Sequence, residues 1–171
     1  FATDGSGTEV IDFYTGKYRP SSKADVAMMA QVSDYLSSIS FYWPMVSAQD
    51  FGRMGPLHEL DASFNNTVKH IQSVTIIGKE LSRYALEMAE VIAGNKENLR
   101  KRSPLSSLVC TIAPLAQDKH GIEGAMEFAK AGVPVGFMAM PNTGSTGPAT
   151  IEGTISVGDA EMVSAMVLMQ M

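Results

Sequence analysis

The sequence has one cysteine, one tryptophan and three histidines in 171 residues, and each scarcity removes a class of explanation. A lone thiol, Cys110, forms no internal disulfide, which points to a reducing compartment and a cytoplasmic location. It lies in the apolar string Leu108-Val109-Cys110-Thr111-Ile112, where a buried, unreactive thiol is expected. His58, His70, His120 and this cysteine have no metal-ligand spacing, so no metal site is expected. Positive charge is also short: the net charge is −5, which gives no electrostatic footprint for nucleic acid. The one basic run, Arg100-Lys101-Arg102, reads as a solvated helix end favoured by the helix dipole. No uncharged stretch approaches the roughly 20 residues of a membrane span. No basic-then-apolar leader opens the chain, and Asn65-Asn66-Thr67 reads as an accidental glycosylation match.

What is present is the composition of a globular domain, 45% apolar and 18% charged, in a chain long enough for one sizeable core. The chain begins at Phe1, and Met171 falls inside an apolar helical pattern, so a longer polypeptide is expected. Residues 1–38 read as a hairpin-like lead-in, with apolar residues between Gly5, Gly7 and Gly16, followed by a helix over about 22–37. Ser22 and Asp25 suit the start of that helix.

From residue 39 onward, strand and helix patterns alternate. Strands are predicted over 39–46, 68–77, 105–113 and 133–140. Helices are predicted over 57–66, from about 79 to a stop at Gly94, from about 119 to a stop at Gly132, and from about 150 past 171. The third of these strands is bounded by Pro104 and Pro114. Short strands without clean alternation argue for burial on both faces, hence an α/β fold with a parallel sheet. Four βα units are about half of a (β/α)8 TIM barrel, which typically needs about 250 residues, and half a barrel would leave sheet edges open. A doubly wound sheet is the alternative.

In a parallel sheet the loops after the strands gather at one end, where function resides. They deliver Trp43, then Gln117, Asp118 and His120, then the loop Asn142-Thr143-Gly144-Ser145-Thr146. That last loop is rich in hydroxyls and backbone donors that could cradle an anion, although the same residues also make turns and cap helices. It has no P-loop lysine. His120 reads equally as an active-face group or a solvated loop residue, and His70, near a strand start, as structural. Trp43 and Tyr42 would suit a methylammonium by cation–π attraction, or simply the core.

The strings S-P-L at 103–105, G-V-P-V-G-F-M-A-M-P at 132–141, N-T-G-S-T-G-P-A-T at 142–150, A-E-M at 160–162 and V-L-M-Q at 167–170 resemble the trimethylamine methyltransferase family. T-V-K-H at 67–70 and L-H at 57–58 are similar to its middle region. The resemblance covers the whole chain and implies a barrel enzyme. It would move a methyl group from trimethylamine to the Co(I) of a corrinoid (cobalamin) held by a cognate partner protein, in methanogenesis from methylamines. A homo-oligomer is expected. Methanogen members carry pyrrolysine, whereas all 171 positions here are ordinary residues. A member using glycine betaine or another quaternary amine therefore stays open, as does a non-catalytic α/β module holding a small anion. The resemblance makes the 142–146 loop a wall facing substrate or corrinoid.

Overall fold

The computed structural model describes all residues, 1–171. The lead-in is an antiparallel hairpin of β1 (Glu9–Ile11) and β2 (Tyr18–Pro20), followed by helix α1 (Lys23–Tyr35). Helix α1 starts where the sequence places a cap. The Ser22 N–H and hydroxyl both donate to Asp25 Oδ2, at 2.9 and 2.7 Å. Arg19 reaches across from the hairpin and grips both oxygens of Asp25, at 2.7 and 2.8 Å. This fork holds the Asp25 carboxyl down to about 2, with burial working against it.

Four parallel strands follow, β3 (Phe41–Tyr42), β4 (His70–Ser73), β5 (Leu105–Cys110) and β6 (Val135–Met138), hydrogen-bonded in the order β3-β4-β5-β6. Between and after them come α2 (Gly55–Asn66), α3 (Lys79–Ala93), α4 (Lys96–Lys101), α5 (Lys119–Ala131) and α6 (Ile151–Gln170). The strand order never reverses, so the switch point of a doubly wound sheet is missing.

Register fixes which side chains share a face. Tyr42, Ile71 and Leu105 align across neighbouring strands, and Ser107 pairs with Val135. This is the face that the helices cover. The Tyr42 hydroxyl donates to Val26 O in α1 at 3.1 Å, and Ile71 and Leu105 pack with Leu60, Ala85, Ala89, Leu99 and Phe128. On the opposite face Phe41, His70, Gln72, Leu108, Cys110, Gly136 and Met138 are half-buried. The helices contact one another in a single row, α1 on α2, α2 on α3, α3 on α5 and α5 on α6. Parallel sheets are ordinarily covered on both faces, so the second face is the unfinished side of this unit.

Several expectations need correction. The strands are shorter than the apolar runs, because Pro44 and Pro104 lack an N–H and beyond Tyr42 the backbone of Trp43 bonds to the Thr3 hydroxyl instead of a strand. Helix α4 was not foreseen: it has six residues and one buried apolar side chain, Leu99, and so leaves no periodicity to detect. Arg100 and Lys101 form its last turn rather than following a longer helix. Cys110 is half-buried on the uncovered face, not in the core, and burial still pushes its thiol up. Only one sheet edge is open. Residues 1–8 run beside β3, bridging Ala2 to Phe41 and Gly7 to Val46, with the Gly7 N–H donating to Met45 O at 2.9 Å.

The Arg19–Asp25 fork gives a test. A depressed carboxylate contributes stability that is full above its unfolded value near 3.8 and is lost as pH falls through about 2. Asp25→Ala should cost about 1–2 kcal/mol at neutral pH by removing the cap partner. The gap to the unsubstituted protein in denaturant unfolding should narrow as the pH is lowered from 4 towards about 2.

Candidate functional site

The strand C-terminal ends lie together because the strands are parallel and in register. Two of the loops there share one construction. After β5, Ile112 and Ala116 exchange both backbone hydrogen bonds at 2.9 Å, and Asp118 then caps α5 by accepting from the Gly121 N–H at 2.6 Å. After β6, Thr143 bridges Gly147, the Ser145 and Gly147 N–H groups donate to Asn142 O at 3.0 and 2.9 Å, and Thr150 caps α6 through the Gly153 N–H at 3.2 Å. Each loop is thus a small closed turn feeding a capped helix.

Within the second turn, Gly144 has φ 79°, a left-handed conformation that costs glycine little. Thr146 is inward-looking, its hydroxyl accepting from the Asn142 N–H at 2.9 Å. Asn142, Thr143 and Ser145 are exposed, and their side chains make no hydrogen bond within the chain. They are free to meet a ligand.

The other sequence candidates divide by role. Asp118 is engaged as the cap, and Gln117 donates to Glu161 O and Ser164 Oγ at 2.7 and 2.9 Å, tying its loop to α6. His120 is exposed on α5 with Nδ1 3.3 Å from Glu123, while its carbonyl accepts from the Gly78 N–H of the loop after β4. Trp43 is half-buried directly after β3, and its indole N–H is buried with no partner. His70 opens β4, its Nδ1 3.2 Å from Ser103 O and its Nε2 2.8 Å from Ser106 Oγ. A carbonyl only accepts, so Nδ1 carries the proton and Nε2 takes the Ser106 hydroxyl. Burial lowers its pKa, as suits a structural histidine.

Sequence reasoning missed two glutamates that hold these loops. Glu59 in α2 is 3% exposed, accepting from Thr75 Oγ1 at 2.6 Å and Ala48 N–H at 3.3 Å, so it clamps the ends of β3 and β4 together. Glu161 in α6 is 1% exposed, accepting from Thr111 Oγ1 at 2.6 Å and Leu115 N–H at 2.8 Å. Neither has a salt-bridge partner. An acid within the apolar run Met162, Val163 of α6 was the available signal for Glu161. Glu59, between His58 and Leu60 on an ordinary amphipathic helix, gave none.

Burial raises the Glu59 pKa above its usual 4.5. A raised carboxyl stabilises the fold fully below the unfolded value and loses that contribution as pH rises through the folded one. Stability should therefore decline as pH rises above about 4.5, and Glu59→Gln should flatten this decline when melting is followed against pH.

No helix is long and apolar enough to cross a membrane. The sequence model of the family described as trimethylamine methyltransferase (MTTB) matches residues 1–171. Trimethylamine methyltransferase MttB of Desulfitobacterium hafniense (strain DSM 10664 / DCB-2) is 32% identical over 100% of this chain and 34% of its own length. The MttB of Methanosarcina barkeri is 29% identical over 98% of this chain and 34% of its own. A glycine betaine methyltransferase of D. hafniense (strain Y51) is 33% identical over 54% of the chain and 19% of its own length. The chain spans about a third of the length of these MttB relatives. With the match running from the first residue to the last, the chain belongs to the trimethylamine methyltransferase family.

Proposed function

We propose that these residues form about half of a (β/α)8 barrel, with 1–38 as a lead-in and 39–171 as its βα units. The whole polypeptide then transfers a methyl group from trimethylamine to a corrinoid held by a partner protein in the cytoplasm. The observation that carries this reading is the family match over the entire chain. The unreversed strand order, the single row of helices and the uncovered second face support the barrel, since each is what one sector of a closed barrel has.

The corrinoid supplies a strongly nucleophilic cobalt to accept the methyl group. This chain's part is to orient and enclose. Asn142, Thr143 and Ser145 line the mouth with donors and acceptors for the polar rim of the incoming partner, and Trp43 faces the enclosed side, where its ring suits a methylated ammonium. Gln117 and Asp118 act through the loop they secure.

A second reading, glycine betaine or another quaternary amine as methyl donor, is favoured by the glycine betaine methyltransferase relative. The two separate in one assay: full-length protein, reduced corrinoid partner, and either trimethylamine or glycine betaine, followed by loss of Co(I) absorbance. Turnover with trimethylamine alone supports the first reading, turnover with betaine alone the second, and none with either removes both. An in-frame amber codon in the full coding sequence would accompany the trimethylamine branch.

The loop has its own test. The Asn142 and Thr143 side chains are exposed and unbonded, so changing them should move stability by no more than about 0.5 kcal/mol. Asn142→Ala and Thr143→Ala should nonetheless lower methyl transfer on the order of tenfold, about 1.4 kcal/mol of barrier. Rates that fall only in step with the melting temperature would return the loop to a purely structural role.

A further inference from the structure

Leu115 is the one residue other than glycine with positive φ, at 55°. A leucine there is strained, because its Cβ crowds the backbone, and such a conformation persists only where its surroundings over-determine it. The surroundings are explicit. The closed turn of Ile112 and Ala116 sets the two ends of the loop, at 2.9 Å in both directions. Glu161 Oε1 accepts the Leu115 N–H at 2.8 Å, and Oε2 takes the Thr111 hydroxyl at 2.6 Å, so one buried carboxylate fixes the tip and the root of the loop together. Gln117 closes the far side by donating to the Glu161 carbonyl at 2.7 Å. All this rigidity presents an apolar side chain to solvent: Leu115 is 66% exposed. A surface leucine that gains nothing from burial gives no reason for a 1%-exposed carboxylate to be spent holding its backbone.

We propose that Glu161 is a positioning residue: it presets the 111–117 loop so that Leu115 stands as a fixed apolar contact at the mouth, against which the corrinoid-bearing partner seats. This rests on the methyltransferase reading. Glu161 touches no reactant itself; it acts through Leu115, and the contact is made without the cost of ordering a mobile loop during docking.

The test uses the full-length protein with its corrinoid partner, and combines hydrogen–deuterium exchange of the peptide covering 111–118 with steady-state methyl transfer. Glu161→Ala should speed exchange at Leu115 by at least tenfold and raise the KM for the corrinoid protein. Glu161→Gln keeps an acceptor for Leu115 and gains a donor for Thr111, so it should hold exchange and KM within about threefold of the unsubstituted enzyme. Leu115→Gly accepts the left-handed backbone without strain, so it should leave the melting temperature unchanged while raising the same KM about tenfold with kcat preserved. In the Leu115→Gly background, Glu161→Ala should change KM by less than twofold, because the strained residue it restrains is gone. If Glu161→Ala does not fold, Thr111→Val, which deletes only the hydroxyl contact, is read in its place.

Unchanged exchange in Glu161→Ala, or fully multiplicative effects in the double variant, overturns the proposal. So does Leu115→Gly with an unaltered KM. If the unsubstituted enzyme methylates no corrinoid from any amine, the methyltransferase reading fails and with it the docking role. The exchange data still decide whether Glu161 restrains the loop.

Discussion

The parallel ladder through β3, β4, β5 and β6 is the constraint on which the rest depends. Because every strand runs the same way, each connection must return along the outside, and it returns as a helix on the covered face. The same condition gathers every strand's C-terminal end at one rim. Register then decides that Tyr42, Ile71 and Leu105 meet the helices while Phe41, His70 and Gln72 face the other way. The site is a by-product of that polarity, and the loops need only be shaped and held.

Their holding relies on buried carboxylates rather than ion pairs. Glu59 joins the ends of β3 and β4, and Glu161 joins the end of β5 to α6. A carboxylate accepts several short hydrogen bonds at once, so one side chain fixes both a hydroxyl and a backbone N–H of loops that have few internal bonds. Surface salt bridges such as Lys101–Glu97, largely exposed on both sides, add little by comparison.

Much of this was legible from local chemistry. The stop at Gly94 after the apolar stripe of α3, the stop at Gly132, and the Ser22–Asp25 cap are all read within one helical turn and stand as expected. The four strand positions were also visible, though their lengths were not, because pairing depends on which neighbour supplies a partner and not on β-propensity alone. Asp118 could be read as a loop charge or a cap, since both call for an aspartate before a helix; the capping geometry decides for the latter. Glu161 reaches Thr111 and Leu115 across 50 and 46 residues, a separation that no periodic pattern encodes. The candidate loop 142–146 was found from composition, whereas the freedom of Asn142, Thr143 and Ser145 emerged only from seeing which groups the turn uses for itself.

The strand-like opening segment along β3 gives the sheet a direction of growth. With Ala2 and Gly7 bridged to Phe41 and Val46, any newcomer on that flank has to compete with a neighbour already bonded, while the β6 flank offers its N–H and C=O groups unclaimed. Assembly is therefore vectorial, extending from β6 outward as more chain becomes available. The beginning of the polypeptide serves as a seal that leaves a single adhesive side, halving the opportunities for edge-to-edge mispairing while the remainder is made.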